Sequence, residues 1–499
     1  MKHMYLLILI LSLVVSPKAS DTLNQGSLAG GCTTILAAGN ATRDGSIILA
    51  KNRDLSEYEI QWLYRAPRQR NTSGATVRLQ YIEIPQVPET WAWVGSKSYT
   101  KKWGVGMGIN MWGVAVADND APTQEPLEGE RGLHDNDICR LILERSKTAN
   151  EGMLLAGILL EQYGHSSIGE IYWIADSKEC WIVEGAGHHW AAVRISNGVA
   201  VRANQFQITN HWDAGSKDLI EYAIKRGWCK SQEDFNFARC YSSGGYPYAT
   251  SQTRLERGLE LLGGKVGNLT REDLMKILAD HYEKTIMHDT AHNNAKFRTI
   301  CSKRTVSAMV AHIKAVLPSE MQLMWHCMST PCTSVFMPVY ANVSSIPNPY
   351  LTGGGPEDIS SYDPGSAWWV FKKLQLLVDE RYDELQPKVR NRWDGFYKDM
   401  AARTNQLEKE LLQQLQEKRI RDAGQLMDKL VEEKLTEAYR LATECVKELS
   451  SPKETKSVEE TRVVAPDLSV VFMISVACMV TLYLLKTKKF VRFMGSGNS

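Results

Sequence analysis

The chain has 499 residues, 43% of them hydrophobic, which is material for one large domain or two ordinary ones. Its 58 basic and 57 acidic residues leave a net charge of +1, which argues against both a basic nucleic-acid-binding surface and an acidic solvating tail. Fourteen Trp and nineteen Tyr argue for a packed core over a disordered chain.

At the N-terminus, one lysine precedes a largely apolar run over 5–15, and small residues follow to Ser20. That pattern predicts a signal peptide over 1–20, cleaved near Ala19 and Ser20. Residues 21–31 (DTLNQGSLAGG) are short, polar and Gly-rich, with nothing to pack. From Cys32 the character changes. Short apolar runs at 32–38 and 46–51 predict strands around the turn Asn-Ala-Thr-Arg-Asp-Gly at 40–45, with further strands at 75–84, 106–117, 171–174, 180–185 and 190–196. Leu and Ile at helical spacing predict helices over 135–146, 151–163, 254–262 and 271–283. Strands and helices recur in blocks without strict alternation, which predicts an α+β layered domain. No internal repeat is found.

Residues 367–448 are rich in Leu, Glu, Lys and Gln, which predicts helices. The cluster of Trp368, Trp369, Phe371, Trp393 and Phe396 favours amphipathic helices packed on the domain over a solvated coiled-coil stalk. A polar linker over 450–467 leads to an uncharged apolar run at 468–485. Eighteen residues at 1.5 Å each cover roughly 27 Å, close to the hydrocarbon thickness of a bilayer. Lys486, Lys488, Lys489 and Arg492 follow at once, as the cytoplasmic flank of a transmembrane helix requires. The expected topology is therefore type I. A catalytic domain at 32–449 stands on the lumenal or extracellular side, a single-pass anchor crosses the membrane, and residues 486–499 form the cytoplasmic tail. Sequons at Asn40, Asn71, Asn268 and Asn342 agree with that side of the membrane, as do ten cysteines. Proximity makes Cys229 with Cys240 and Cys327 with Cys332 plausible disulfides, although sequence alone does not fix connectivity; Cys139, in a helical pattern, reads as a buried thiol.

The common catalytic signatures are missing: there is no HExxH, paired CxxC, GxxxxGK[ST] or GxSxG. His188 and His189 are adjacent on a strand pattern and so point to opposite faces, which argues against a metal pair. The glycines of 104–108 lack a following helix, so a dinucleotide loop is not expected. The reading therefore carries no cofactor and no metal.

What remains is Gly31-Cys32-Thr33-Thr34. Cys32-Thr-Thr-Ile-Leu, then Asp44-Gly-Ser, then Lys51-Asn-Arg-Asp54 resembles the opening of the N-terminal-nucleophile cysteine hydrolases, and in particular the dipeptidase and secernin branch. Bile-salt hydrolases and penicillin V acylases are more distant members. Gly108-Ile-Asn-Met-Trp-Gly, Asp137-Ile-Cys-Arg-Leu, Asp280-His-Tyr-Glu, Pro331-Cys-Thr-Ser-Val-Phe and Ser366-Ala-Trp-Trp are similar to family segments in the same order, so the resemblance spans about 32–440. It implies the four-layer αββα sandwich, with added C-terminal helices and the transmembrane helix.

The resemblance also implies a mechanism. Processing before Cys32 would free a thiol and an α-amine on one residue, with ordinary pKa values of about 8.5 and about 7.7–8.0. The amine then serves as base and no histidine is needed. Asp54 resembles the carboxylate that holds the amine, Asn119 a donor near the oxyanion, and Arg254 the arginine that steadies the site. Asn204 resembles the second polar group near the oxyanion, with Asn210 the competing assignment. Lys51 departs from the arginine usual in the acylases and loses its planar fork. The implied activity is hydrolysis of a small peptide amide, with an N-acyl amide hydrolase or a non-catalytic secernin-like trafficking protein as alternatives. The oligomeric state stays open, a homo-oligomer included.

Overall fold

The computed structural model describes residues 31–288, 292, 298–353 and 362–451. The predicted signal peptide, nearly all of the 21–31 leader, most of the linker, the transmembrane segment and the tail lie outside the described residues. Among the described residues, no helix is long and apolar enough to cross a membrane.

In chain order the strands are β1 (Thr33–Ala38), β2 (Ile47–Asp54) and β3 (Gln61–Ala66). Two short ribbons follow: β4 (Gln69–Arg70) pairs with β7 (Glu89–Thr90), and β5 (Thr76–Arg78) pairs with β6 (Glu83–Pro85). Then come β8 (Trp93–Ser98), β9 (Met107–Asn110), β10 (Ala115–Ala121), β11 (Gly169–Ala175), β12 (Cys180–Ala186), β13 (His189–Ile195), β14 (Gly198–Arg202) and β15 (Ala214–Gly215). The last three are β16 (Thr305–Ile313), β17 (Leu323–Met328) and β18 (Phe336–Tyr340). They make a six-stranded antiparallel sheet in the order β14-β1-β2-β16-β17-β18 and an eight-stranded one in the order β15-β13-β12-β11-β10-β9-β8-β3.

The two sheets face each other and each carries helices on its outer side. Helices α1 (Asp135–Arg145) and α2 (Ala149–Tyr163) cover the eight-stranded sheet. After the short α3 (Leu219–Lys225) and α4 (Phe237–Tyr241), α5 (Ala249–Gly263), α6 (Arg271–Leu278) and α7 (Ala367–Asp379) cover the six-stranded one. Strand alternation explains the layering. Ala115, Ala117, Ile171 and Trp173 share the core between the sheets, while Val116, Tyr172 and Ile174 share the second core with Ile138, Ile142 and Met153 of the helices. A strand with both faces buried has no solvent side to show, so β11 is without alternation from Ile171 to Ala175, and its one charged residue, Glu170, is buried as well. The result is the αββα sandwich.

The helical C-terminal region consists of α7, α8 (Tyr382–Gln416) and α9 (Ile420–Ser450). The pairs Arg392–Glu448, Lys434–Asp399 and Arg403–Glu433 run in opposite chain directions, so α8 and α9 are antiparallel. Their apolar faces join the main core, and Trp393 donates from Nε1 to the Thr333 carbonyl at 3.0 Å.

Several boundaries differ from the sequence reading. The strand expected over 75–84 is the β5–β6 ribbon, and the one expected over 106–117 is two strands split by a turn at Gly113, whose φ is +78°. The helix expected to reach 283 stops at Leu278 with Ala279 as its C-cap, and the left-handed φ of 61° at Tyr282 keeps it from continuing to 283. The suggested Cys327–Cys332 and Cys229–Cys240 disulfides are absent; all four are buried free thiols. Cys332 instead lies 3.5 Å from His292, while Cys327 rests against the Met328 and Ser329 carbonyls.

Candidate active site

Cys32 immediately precedes β1 and is 5% exposed. Thr34 pairs with Lys51 and Thr33 with Asn52, and the Gly31 N–H donates to the Asp54 carbonyl at 3.1 Å, carrying the β1–β2 ladder past Cys32. Opposed residues in an antiparallel pair point the same way, so Cys32 and Thr34 share a face with Lys51 and Arg53, toward the eight-stranded sheet. There Thr34 Oγ1 donates to Asn119 Oδ1 at 2.8 Å, and Trp173 Nε1 donates to the same oxygen at 3.0 Å. The other end of that amide, Asn119 Nδ2, is buried with no acceptor among the described residues. A buried donor without a partner is costly to keep and available to a ligand.

Beneath Cys32 lies a charged floor. Lys51 is completely buried, its Nζ bonded to the Asp118 carboxylate and donating to the Gly106 carbonyl at 3.1 Å. Asn136 Nδ2 donates to Asp118 at 3.2 Å, and Arg53 donates to Asn136 Oδ1 at 2.7 Å. A compact ammonium meets two acceptors here without needing the planar fork of an arginine. Burial works against the Lys51 charge, but Asp118 and the Cys32 sulfur outweigh it and hold its pKa above the ordinary value. The Cys32 thiol is pushed up to about 11, by burial first; Lys51 partly offsets this, and Asp118, Asp120 and Asp54 add to it. With Gly31 still attached, the thiol is therefore protonated at neutral pH.

Arg254, on α5, is the third part of the site. Its NH1 donates to the Gly31 carbonyl at 3.0 Å, the Cys32 carbonyl at 2.8 Å and Thr33 Oγ1 at 3.0 Å. Its NH2 donates to Asn204 Oδ1 at 2.9 Å, and Asn204 Nδ2 donates onward to the Asp120 carbonyl at 2.9 Å. Burial, then the nearby Arg298, lowers the Arg254 pKa to about 9. Asp54 is fully buried, accepting from Thr305 Oγ1 at 2.7 Å and from Arg298 at 3.2 Å. Asp54, Asn119, Asn204 and Arg254 thus gather around Cys32, whereas Asn210 is exposed. Sequence reasoning missed Thr34, Asp118, Asn136, Trp173, Arg298 and Thr305. One signal was present: Lys51, Asn52, Arg53 and Asp54 are four consecutive polar residues closing an apolar strand, and all four are buried.

The model of "Peptidase family C69" matches residues 31–253 and 246–395, a range that opens one residue before Cys32 and takes in every residue of this site. The chain belongs to peptidase family C69. Among its relatives, "Probable dipeptidase B" of Lactococcus lactis subsp. lactis (strain IL1403) is 25% identical over 399 residues, covering 71% of this chain and 82% of the relative. "Probable dipeptidase A" of Streptococcus pyogenes serotype M3 (strain SSI-1) is 24% identical over 408 residues, covering 72% and 85%. Among solved structures, a mutant conjugated bile acid hydrolase from Clostridium perfringens is 11% identical, covering 60% of this C69 peptidase and 89% of that chain. Its TM-score of 0.35 is too low to carry an argument.

Proposed function

We propose that this C69 peptidase is a cysteine dipeptidase whose nucleophile is Cys32, freed as the N-terminal residue. The observation that carries the reading is the unpartnered Asn119 Nδ2, buried on the face toward which Cys32 points. Hydrolysis of an amide needs a donor of that kind where the carbonyl oxygen gathers charge.

One contact supports self-processing of the uncut chain at Gly31–Cys32. Arg254 donates to the Gly31 carbonyl, the group that would be cleaved. Attack of the Cys32 thiol on that carbon forms a thioester, the C–N bond breaks, and the thiol proton goes to the departing nitrogen, which becomes the α-amine. Water then hydrolyses the thioester and restores the thiol. In the mature enzyme the amine, with a pKa near 7.7–8.0, takes the thiol proton. The thiolate attacks the dipeptide carbonyl, Asn119 Nδ2 donates to the oxyanion, and the ammonium returns the proton to the leaving amine. Water releases the acyl group by the same route. Asp54 is proposed to hold the ammonium, with Arg298 and Thr305 fixing the carboxylate.

The same reading makes the chain a type I membrane protein with its catalytic domain lumenal or extracellular. Support comes from the two apolar terminal runs and from the sequon positions Asn40 and Asn268, which are exposed. A mobility shift on glycosidase treatment, with retention in membranes after alkaline extraction, checks this.

N-terminal sequencing and a substrate profile test the enzyme reading. The mature protein is expected to begin at Cys32 and to hydrolyse dipeptides in preference to N-acyl amino acids, and Cys32→Ala is expected to abolish turnover. Full dipeptidase activity in Cys32→Ala would sink the proposal.

A further inference from the structure

A second cluster, of buried imidazoles and thiols, does not include Cys32. We propose that His281, His292, Cys301 and Cys332 form a tetrahedral site for one zinc-type divalent ion with a structural role. All four residues are buried, and their donor atoms lie within 4.8 Å of one another. His281 Nε2 is 3.0 Å from His292 Nε2, and His292 Nε2 is 3.5 Å from Cys332 Sγ and 3.8 Å from Cys301 Sγ. Zinc binds imidazole nitrogen at about 2.0–2.1 Å and thiolate sulfur at about 2.3 Å, so a tetrahedron of such ligands has N–N edges of roughly 3.4 Å and N–S edges of roughly 3.6 Å. The observed separations are close to those edges.

The surroundings repeat what metal-bound histidines require. His292 turns its other nitrogen, Nδ1, to the Asp379 carboxylate at 3.1 Å. His281 turns its Nδ1 to Glu283 and to the Tyr382 hydroxyl, both at 3.3 Å. A partner on the far nitrogen fixes the ring and leaves Nε2 free to ligate. A disulfide between Cys301 and Cys332 would account for the two thiols but would leave two oriented imidazoles facing each other without purpose. Four protein ligands close the coordination sphere, which marks a structural site; a catalytic one keeps an open position.

Sequence reasoning expected no metal, and the reason is visible. The ligands are spread over the chain: His281 in the turn after α6, His292 eleven residues on, Cys301 in the loop before β16 and Cys332 in the loop after β17. No short ligand motif exists to be read. The loop that carries Cys301 also supplies Arg298 to Asp54 and the Ile300 carbonyl to Asn52 at 2.8 Å, and it leads directly into Thr305, the first residue of β16, which donates to Asp54. The ion would therefore staple the segment that holds the Asp54 carboxylate.

The test is metal analysis of the full chain, purified in detergent without a histidine tag or chelator. Close to one zinc per chain is expected, falling to background in Cys332→Ser and His292→Gln but kept in Cys32→Ala. Should the ligand variants fail to fold, the wild-type protein still decides. Chelation is expected to lower its thermal midpoint and added zinc to restore it, and cobalt in place of zinc is expected to give the intense visible bands of a tetrahedral thiolate site. Metal-free protein that takes up neither ion after reduction would overturn the proposal. So would a native Cys301–Cys332 disulfide, seen as a peptide mass lighter by two hydrogens.

Discussion

Asn119 divides its amide between two tasks. The oxygen is held by Thr34 and Trp173, which fixes the rotation of the group and leaves the nitrogen without an acceptor among the described residues. Loss of an oxyanion donor typically lowers kcat by about 10²–10³. Asn119→Ala is expected to fall in that range in steady-state assays on a dipeptide, whereas Asn210→Ala, at an exposed position, is expected to leave the rate unchanged. Loss of the Asn119 oxygen also strips a shared acceptor from two buried donors, so a stability cost of about 1–3 kcal/mol should accompany the kinetic one. The candidate residues the sequence singles out, Cys32, Asp54, Asn119, Asn204 and Arg254, each sit in a short recognisable segment, and the structure brings them together. Their supports were not legible, because they are chosen by the fold. Asp118 meets Lys51 across 67 residues of chain, and Arg298 meets Asp54 across 244. Nothing local in the sequence distinguishes those side chains from others of their kind.

Elements were legible where a local signal settled them. The α1 helix opens on a capping box of His134 and Asp137, and α6 on one of Thr270 and Asp273. Where two short strands share one apolar pattern, as β9 and β10 do, periodicity merges them and only the positive φ of Gly113 separates them. The C-terminal helices give the sharpest contrast between composition and context. Charge and helix formers alone would suit a stalk, but the aromatic cluster fits only a packed face. Trp393 is fully buried, stacked on Phe371 with ring centroids 6.0 Å apart, and its indole N–H is bonded to the loop after β17. Trp393→Ala removes that side chain from a close-packed site, which costs about 3–5 kcal/mol. A loss of that size in denaturant unfolding is expected; a solvated stalk would show almost none.

Over the whole molecule, buried titratable groups tilt stability with pH in opposite directions. Burial first, with neighbouring carboxylates contributing, pushes Asp120 and Asp137 up to about 6. Their folded forms hold a proton more tightly than the unfolded chain does, so their contribution is full below the ordinary carboxylate range and is lost as pH rises through about 6. His165 and His326 work the other way. Burial lowers both to about 3, so their contribution is present above the ordinary value of about 6.5 and is lost as pH falls toward 3. His326 isolates the effect, because it is completely buried on β17 and neither ring nitrogen has a partner among the described residues. Each pH unit below about 6.5 then costs about 1.4 kcal/mol at this residue. His326→Leu keeps an apolar side chain in the core and removes the titration. Urea unfolding at pH 7.5 and pH 5 is therefore expected to show the variant gaining about 2 kcal/mol on the wild type as the pH falls. A difference that does not change with pH would mean that His326 already carries a proton in the folded protein, or finds a partner that offsets its burial.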